Sequence, residues 1–228
     1  MSQEHWDGVY AGRGAQRVSW YQADPRLSLR LISDAAAAIA GKDSAVVDAG
    51  GGASPLAGQL AAAGFTDVTV VDVSPVALAT ARAGAGDSRI AWVTADLLGW
   101  RPPRAYQIWH DRAVFHFLTS AGDRAAYLAA LRAALPAGGA IILATFAADG
   151  PRRCSGLPVA RYDPGGLAAE LSAAYGGAVT ATGSHAERHR TPAGAVQPFT
   201  WITARLSPLD LPTKLIVIID KSRNAMAG

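Results

Sequence analysis

The sequence predicts an α/β fold in which a mostly parallel sheet carries helices on both faces. Three observations support this. Short apolar, β-branched stretches alternate with helical stretches from about residue 44 to residue 206. The first of them, Val46-Val47-Asp48, runs straight into Gly50-Gly51-Gly52 and then Ser54-Pro55, the order of a buried strand, a tight loop and a helix start. The next, residues 68–73, ends in Asp72 and is followed by Ser74-Pro75, which again offers an N-cap and a first helical proline.

Taken in order, the chain opens with aromatic residues, Trp6, Tyr10, Trp20 and Tyr21, ahead of any strand. They are expected either to pack a short N-terminal helix on the sheet or to close over a ligand. Asp24-Pro25 should start a helix reaching about Ala40, with Leu27, Leu31, Ala35 and Ala38 on one face and Gly41 as its stop. The first strand is predicted over residues 44–47 and the helix after the glycines over residues 55–63. The third strand, residues 90–95, leads into Asp96-Leu97. Pro102 and Pro103 forbid a long helix after it, so a loop is expected there. A fourth strand is predicted over 106–110, a helix over 123–135 and a fifth strand over 140–146. Residues 149–162 are too irregular for either element and long for a connector, which suggests function. A helix from Asp163-Pro164 and two last strands, 179–182 and 199–206, complete the reading.

The glycine loop limits the ligand. A dinucleotide fingerprint would need a third glycine where Pro55 stands, and a phosphate-binding loop would need a lysine, of which there is none between Lys42 and Lys214. What remains is the form D-x-G-x-G, with Asp48 suited to a ligand that carries an ammonium group and no phosphate. S-adenosylmethionine is such a ligand.

Val-Val-Asp-Ala-Gly-Gly-Gly-Ala-Ser, residues 46–54, resembles the first motif of the class I methyltransferases that use S-adenosylmethionine. The resemblance continues through Asp72 at the second strand tip, 20 residues beyond Gly52, and through Asp96-Leu97. It implies a Rossmann-like, seven-stranded, mostly parallel sheet with its last strand antiparallel. It also implies that Asp72 binds the ribose hydroxyls, Asp96 the adenine amino group, and that Asp48, Gly50, Gly51, Gly52, Val73, Leu97, Trp20 and Tyr21 complete the cofactor site. Residues 106–118 are similar to the fourth motif of the family, with Gln107 where an aspartate is usual. There the resemblance makes Asp111 the strand-tip residue beside the sulfonium, steering the acceptor or capping the turn, and makes His116 a candidate for chemistry. The stretches HWDGVY, VSWYQ and HDRAVFHFL are also similar to protein lysine methyltransferases of the citrate synthase type.

Composition bounds the partners. The 228 residues, half of them hydrophobic, suit a single α/β domain, and a net charge of +3 does not favour nucleic acid. One cysteine, Cys154, excludes an internal disulfide and a cysteine-rich metal site. His185 and His189 lack a third ligand at suitable spacing, so no metal is expected. No stretch is apolar enough to span a bilayer, and a cytoplasmic monomer or homodimer is the expectation. Residues 1–206 are read as the methyltransferase domain, 1–42 being its lid and scaffold, and 207–228 as an appendage.

The implied reaction is in-line transfer of a methyl group to an N, O or S nucleophile, of a small molecule before a protein lysine. A protein that binds S-adenosylmethionine without catalysis is the other alternative. Arg152 and Arg153 could bind an acidic substrate or lie solvated at the surface. Together with Cys154, the His185 to His189 segment and Gln197 to Phe199, their loop is read as a wall of the substrate pocket.

Overall fold

The computed structural model describes residues 2–207. The predicted tail, except for Ser207, lies outside them. The elements run α1 (Gln3–Arg13), α2 (Arg26–Ala37), β1 (Val46–Ala49), α3 (Leu56–Ala62), β2 (Val68–Asp72), α4 (Pro75–Ala85), β3 (Ala91–Thr94) and β4 (Ile108–Arg112). They continue with α5 (Ala121–Ala134), β5 (Ala140–Phe146), a two-residue hairpin β6 (Arg153–Cys154) and β7 (Leu157–Pro158), α6 (Pro164–Ala174), β8 (Val179–Arg190) and β9 (Val196–Leu206).

Seven strands form one sheet in the order β3-β2-β1-β4-β5-β9-β8. The first five are mutually parallel, and β9 enters antiparallel to β5, so the expected architecture is the observed one. Alternation along the strands builds two cores. Val47, Trp109, Ile141 and Leu143 meet α5 and α6 on one face; Val46, Ile108, Ile142 and Ala144 meet α2 and α3 on the other. Strands β1, β2 and β5 are buried along their whole length, as expected where both faces carry helices.

Capping follows the sequence at three helices. Ser74 and Asp163 each accept the amide three residues on and place proline in the first turn, and Ser120 caps α5, which begins two residues before its expected start. At α3 the expectation is off by one: Pro55 occupies the N-cap position, while the Ser54 hydroxyl accepts from the Leu56 amide at 3.2 Å. Strand β4 lies two residues later than predicted, because its pairing with β5 carries it to Arg112 opposite Ala144. The penultimate strand is the larger departure. It runs on through the histidine segment to Arg190, and β8 and β9 form a long hairpin with a register shift near Gly183.

Candidate functional site

The strand order reverses at β1, whose neighbours β2 and β4 lead the chain in opposite directions. A crevice opens beyond the carboxyl ends of strands at such a point. A pocket lies there, between the glycine loop, the tips of β2 and β3, the end of β4 and the N-terminal segment.

The glycine loop leaves no room for side chains. A Cβ on Gly50 would overlap Val114, one on Gly51 would overlap the Asp48 carboxylate and Val70, and one on Gly52 would overlap the Tyr10 hydroxyl. Gly50 and Gly52 also have φ of +70° and +55°. Across the loop, Asp72 accepts the Ser74 amide on Oδ1 at 2.8 Å, while its other oxygen faces Gly52. Burial pushes its carboxyl up to about 6. Asp96 is exposed at the next tip, where it accepts the Leu98 amide.

Helix α1 covers this crevice. The Ser74 hydroxyl donates to Asp7 Oδ1 at 2.5 Å, and Trp6 packs edge-on against Trp20 and Phe117 with ring centroids 5.7 and 5.1 Å apart. Trp6, Tyr10, Trp20 and Tyr21 all line the pocket, so the N-terminal aromatics both pack the helix and close the site.

Asp48 is buried, and one of its oxygens is taken: His110 Nδ1 lies 2.7 Å from Oδ1, and His110 Nε2 lies 3.0 Å from Ser28 Oγ on α2. His110 thus bridges the two, donating from Nδ1 to the Asp48 carboxylate and meeting the Ser28 hydroxyl with Nε2. Two residues on, along the same strand face, Arg112 lines the pocket with its side chain 9% exposed. Its Nη1 donates to the Trp20 carbonyl at 2.9 Å and its guanidinium carbon sits 4.5 Å from the centre of the Phe199 ring. Cys154 is buried at the pocket wall, and burial raises its thiol to about 11, so it is not a nucleophilic thiolate near neutral pH.

Of the residues expected at the site, Asp48, Gly50, Gly51, Asp72, Val73, Asp96, Leu97, Trp20 and Tyr21 line this pocket, and Gly52 sits beneath Tyr10 at its edge. Asp111 and His116 do not line it. The Asp111 side chain points to the opposite face of the sheet, where it accepts the Val114 and Phe115 amides and the Tyr127 hydroxyl, the last at 2.5 Å. That is the turn-capping alternative of the two the sequence offers. His116 is fully buried against Phe117 and Phe146, and its Nδ1 accepts the Phe146 amide at 3.3 Å. Burial, helped by the Arg112 charge, lowers its imidazole to about 3. Sequence reasoning misses Ser28, His110, Arg112 and Gln22. Of these, only His110 leaves a trace in the sequence, as a histidine near the tip of the strand that neighbours Asp48.

His189 donates from Nε2 to the Ser19 carbonyl at 2.7 Å, so it holds the N-terminal segment down. Arg153 reaches the Gly156 carbonyl within its own hairpin.

A family model described as a methyltransferase domain matches residues 46–139, from β1 to the turn before β5. That stretch, less than half of the chain, is similar to the methyltransferase-domain family. No curated protein sequence matches the chain significantly. Among solved structures it is similar to one reported for conversion of a disulfide bond into a thioacetal group during echinomycin biosynthesis, at 21% identity and TM-score 0.70, covering 96% of this chain and 99% of that one. It is also similar to the Burkholderia thailandensis 1,6-didemethyltoxoflavin-N1-methyltransferase, solved with 1,6-didemethyltoxoflavin and S-adenosylhomocysteine, at 22% identity and TM-score 0.65, covering 89% and 87%. The N-methyltransferase NodS from Bradyrhizobium japonicum WM9, in complex with S-adenosylhomocysteine, aligns at 16% identity and TM-score 0.68, covering 89% and 98%.

The methyltransferase-domain model matched by residues 46–139 points to S-adenosylmethionine, and the residues present fit it. The glycines form a cradle that a Cβ would fill, Asp72 keeps one oxygen free of side-chain partners, and aromatic rings roof the crevice. Among the described residues no helix is long and apolar enough to cross a membrane.

Proposed function

We propose that this methyltransferase moves the methyl group of S-adenosylmethionine in line to an N, O or S nucleophile of a small molecule. The observation that carries the reading is a roofed pocket: Trp6 and Tyr10 of α1 and Trp20 to Gln22 line it above the glycine loop, and Cys154 lines it from the β6-β7 hairpin. A protein lysine acceptor would call for an open groove with acidic walls. The wall nearest the end of β4 instead carries the buried guanidinium of Arg112.

When bound, the cofactor supplies an electrophilic methyl on a sulfonium whose neutral thioether leaves without acid help. The chain's own residues then have four tasks. Asp72 accepts the ribose hydroxyls, and Asp96 with Leu97 holds the adenine. Asp48, its Oδ1 fixed by His110, presents Oδ2 to the ammonium group. Trp6, Tyr10, Trp20 and Tyr21 exclude water, so that positioning provides most of the acceleration. Asp111 and His116 support the turn at the pocket edge from beneath. Residues 1–206 act as one unit, with 1–42 as lid and scaffold.

The test is calorimetric titration with S-adenosylmethionine and, separately, NADH, followed by transfer of label from S-adenosylmethionine to a panel of small acceptors. Binding of the first alone, with label appearing in a small acceptor, is expected. Binding of neither ligand would overturn the cofactor reading, and binding without transfer to any acceptor would leave a cofactor-binding protein in place of an enzyme.

A further inference from the structure

Arg112 is an arginine with too few partners. Its side chain is nine-tenths buried, yet Nε and Nη2 donate to nothing, and only Nη1 has an acceptor, the Trp20 carbonyl. An unsatisfied buried donor of a charged group costs more than one on a neutral group, so such an arrangement calls for an explanation. The nearest carboxylate does not remove the deficit. Glu187 Oε2 lies 3.6 Å from Nε, beyond hydrogen-bond distance, because the carboxylate is held elsewhere. Its Oε1 accepts from Gln22 Nε2 at 2.5 Å and its Oε2 accepts from Trp201 Nε1 at 2.9 Å. Glu187 thus balances the charge of Arg112 without occupying its donors.

The two orphaned nitrogens, Nε and Nη2, form one edge of the planar guanidinium, the fork that receives both oxygens of a carboxylate. Phe199 beneath the guanidinium and the Trp20 carbonyl at its other edge fix the plane of that fork. Arg112 lines the same pocket as Trp20, Tyr21, Phe117 and Leu118, so the residue with the unpartnered fork adjoins flat and apolar surface, while the carboxylates of Asp48, Asp72 and Asp96 line the pocket around the glycine loop and the strand tips.

We infer that Arg112 anchors a carboxylate of the methyl acceptor, and that the acceptor is therefore a flat, apolar organic acid. This rests on the methyltransferase reading of the pocket and names the substrate class within it. The pocket supplies aromatic surface for the body of such a molecule and one fixed cation for its acid group. The exposed Arg152 and Arg153 do not supply that cation.

The experiment uses the full chain saturated with S-adenosylhomocysteine and titrates it with amino- and hydroxybenzoates, each paired with its carboxamide. The carboxamide has the same shape without the charge. At least one acid is expected to bind tenfold or more tightly than its amide, and Arg112→Gln should bring the two within about twofold. Glu187→Gln is the second variant. It removes the competing charge and should tighten the acid several-fold while leaving the amide unchanged, whereas a purely structural Arg112 to Glu187 pair predicts no gain. Equal binding of acid and amide by the natural protein, no binding of any acid, or a preference that survives in Arg112→Gln would each overturn the inference. Failure of S-adenosylhomocysteine to bind in the first place would overturn the cofactor reading instead, so the two failures are distinguishable.

Discussion

Replacing Asp72 by asparagine should stabilise the free protein and weaken its hold on the cofactor, two effects of opposite sign from one atom change. Burial raises the Asp72 carboxyl from 3.8 to about 6, since desolvation outweighs the backbone amides that favour its charge. A folded-state value above the unfolded one means that its contribution to stability is fully present below about 4 and is lost as the pH rises through about 6. A shift of roughly two units corresponds to about 3 kcal/mol above pH 7. Asparagine resembles the protonated acid, so the variant should gain about 3 kcal/mol over the natural protein at pH 8 and almost nothing at pH 4. Other buried acids such as Asp111 titrate in both proteins and cancel in the difference. Binding moves the other way, because asparagine cannot accept through both positions. Losing about 2 kcal/mol of hydrogen bonding to a charged acceptor weakens S-adenosylhomocysteine by about thirtyfold. Urea unfolding of both proteins at pH 4, 6 and 8 measures the first effect, and calorimetric titration at pH 8 the second. A gain that is absent at pH 8, or the same at pH 4 and pH 8, would refute the desolvation argument. Unchanged affinity would refute the ribose assignment.

Gly52→Ala should weaken S-adenosylhomocysteine binding at least tenfold, because the new Cβ meets the Tyr10 hydroxyl at φ +55°; adding Tyr10→Phe should recover part of the loss, read by the same titration. Tyr127→Phe removes the donor to Asp111 and leaves Trp109 Nε1 without its acceptor, so urea unfolding should show a loss of about 2 to 3 kcal/mol. His116 is neutral in the fold, its imidazole lowered to about 3. Its contribution is therefore present above pH 6.5 and is lost as the pH falls towards 3, so the natural protein should lose stability relative to His116→Asn over that window. A variant that loses stability in parallel with it would contradict the buried neutral state. The pH dependence of methyl transfer near neutrality should also carry no limb from His116.

Much of the pocket around the glycine loop was legible because each strand tip there is marked locally. The glycines after Asp48 and the Ser-Pro pair after Asp72 fix where those strands end, and an acid at a fixed strand end has one place to point. The fourth strand carries no such mark. Trp109-His110-Asp111-Arg112 places polar residues on both faces, so alternation alone cannot say which face looks into the pocket. The register decides it: His110 pairs with Asp48 across β1 and β4, which puts His110 and Arg112 on the pocket side and Asp111 against Tyr127. The expected acid is therefore at the predicted strand tip with its carboxylate turned towards Tyr127 and Val114, which themselves line the pocket.

The acceptor wall was harder to read for a different reason, which is distance along the chain. Glu187 meets Gln22 across 165 residues and His189 meets Ser19 across 170, contacts that exist only because β8 runs on past its expected end to bring the hairpin over the N-terminal segment. No local pattern marks that extension, since residues 179–190 alternate small and polar side chains that mostly face solvent. Those contacts also set Arg112 apart. Gln22 and Trp201 hold Glu187 in place, so the carboxylate that could have closed on the guanidinium stands 3.6 Å off, and its charge is balanced while its donors stay open. On the proposed reading, specificity for the acceptor rests on long-range contacts laid over a cofactor site built from local ones. On this division, changes at Gln22 or Glu187 should alter which acids bind while leaving S-adenosylhomocysteine affinity within about twofold, since sites without shared partners behave nearly independently. A parallel loss of both affinities in the calorimeter would show that wall and cradle are one cooperative unit.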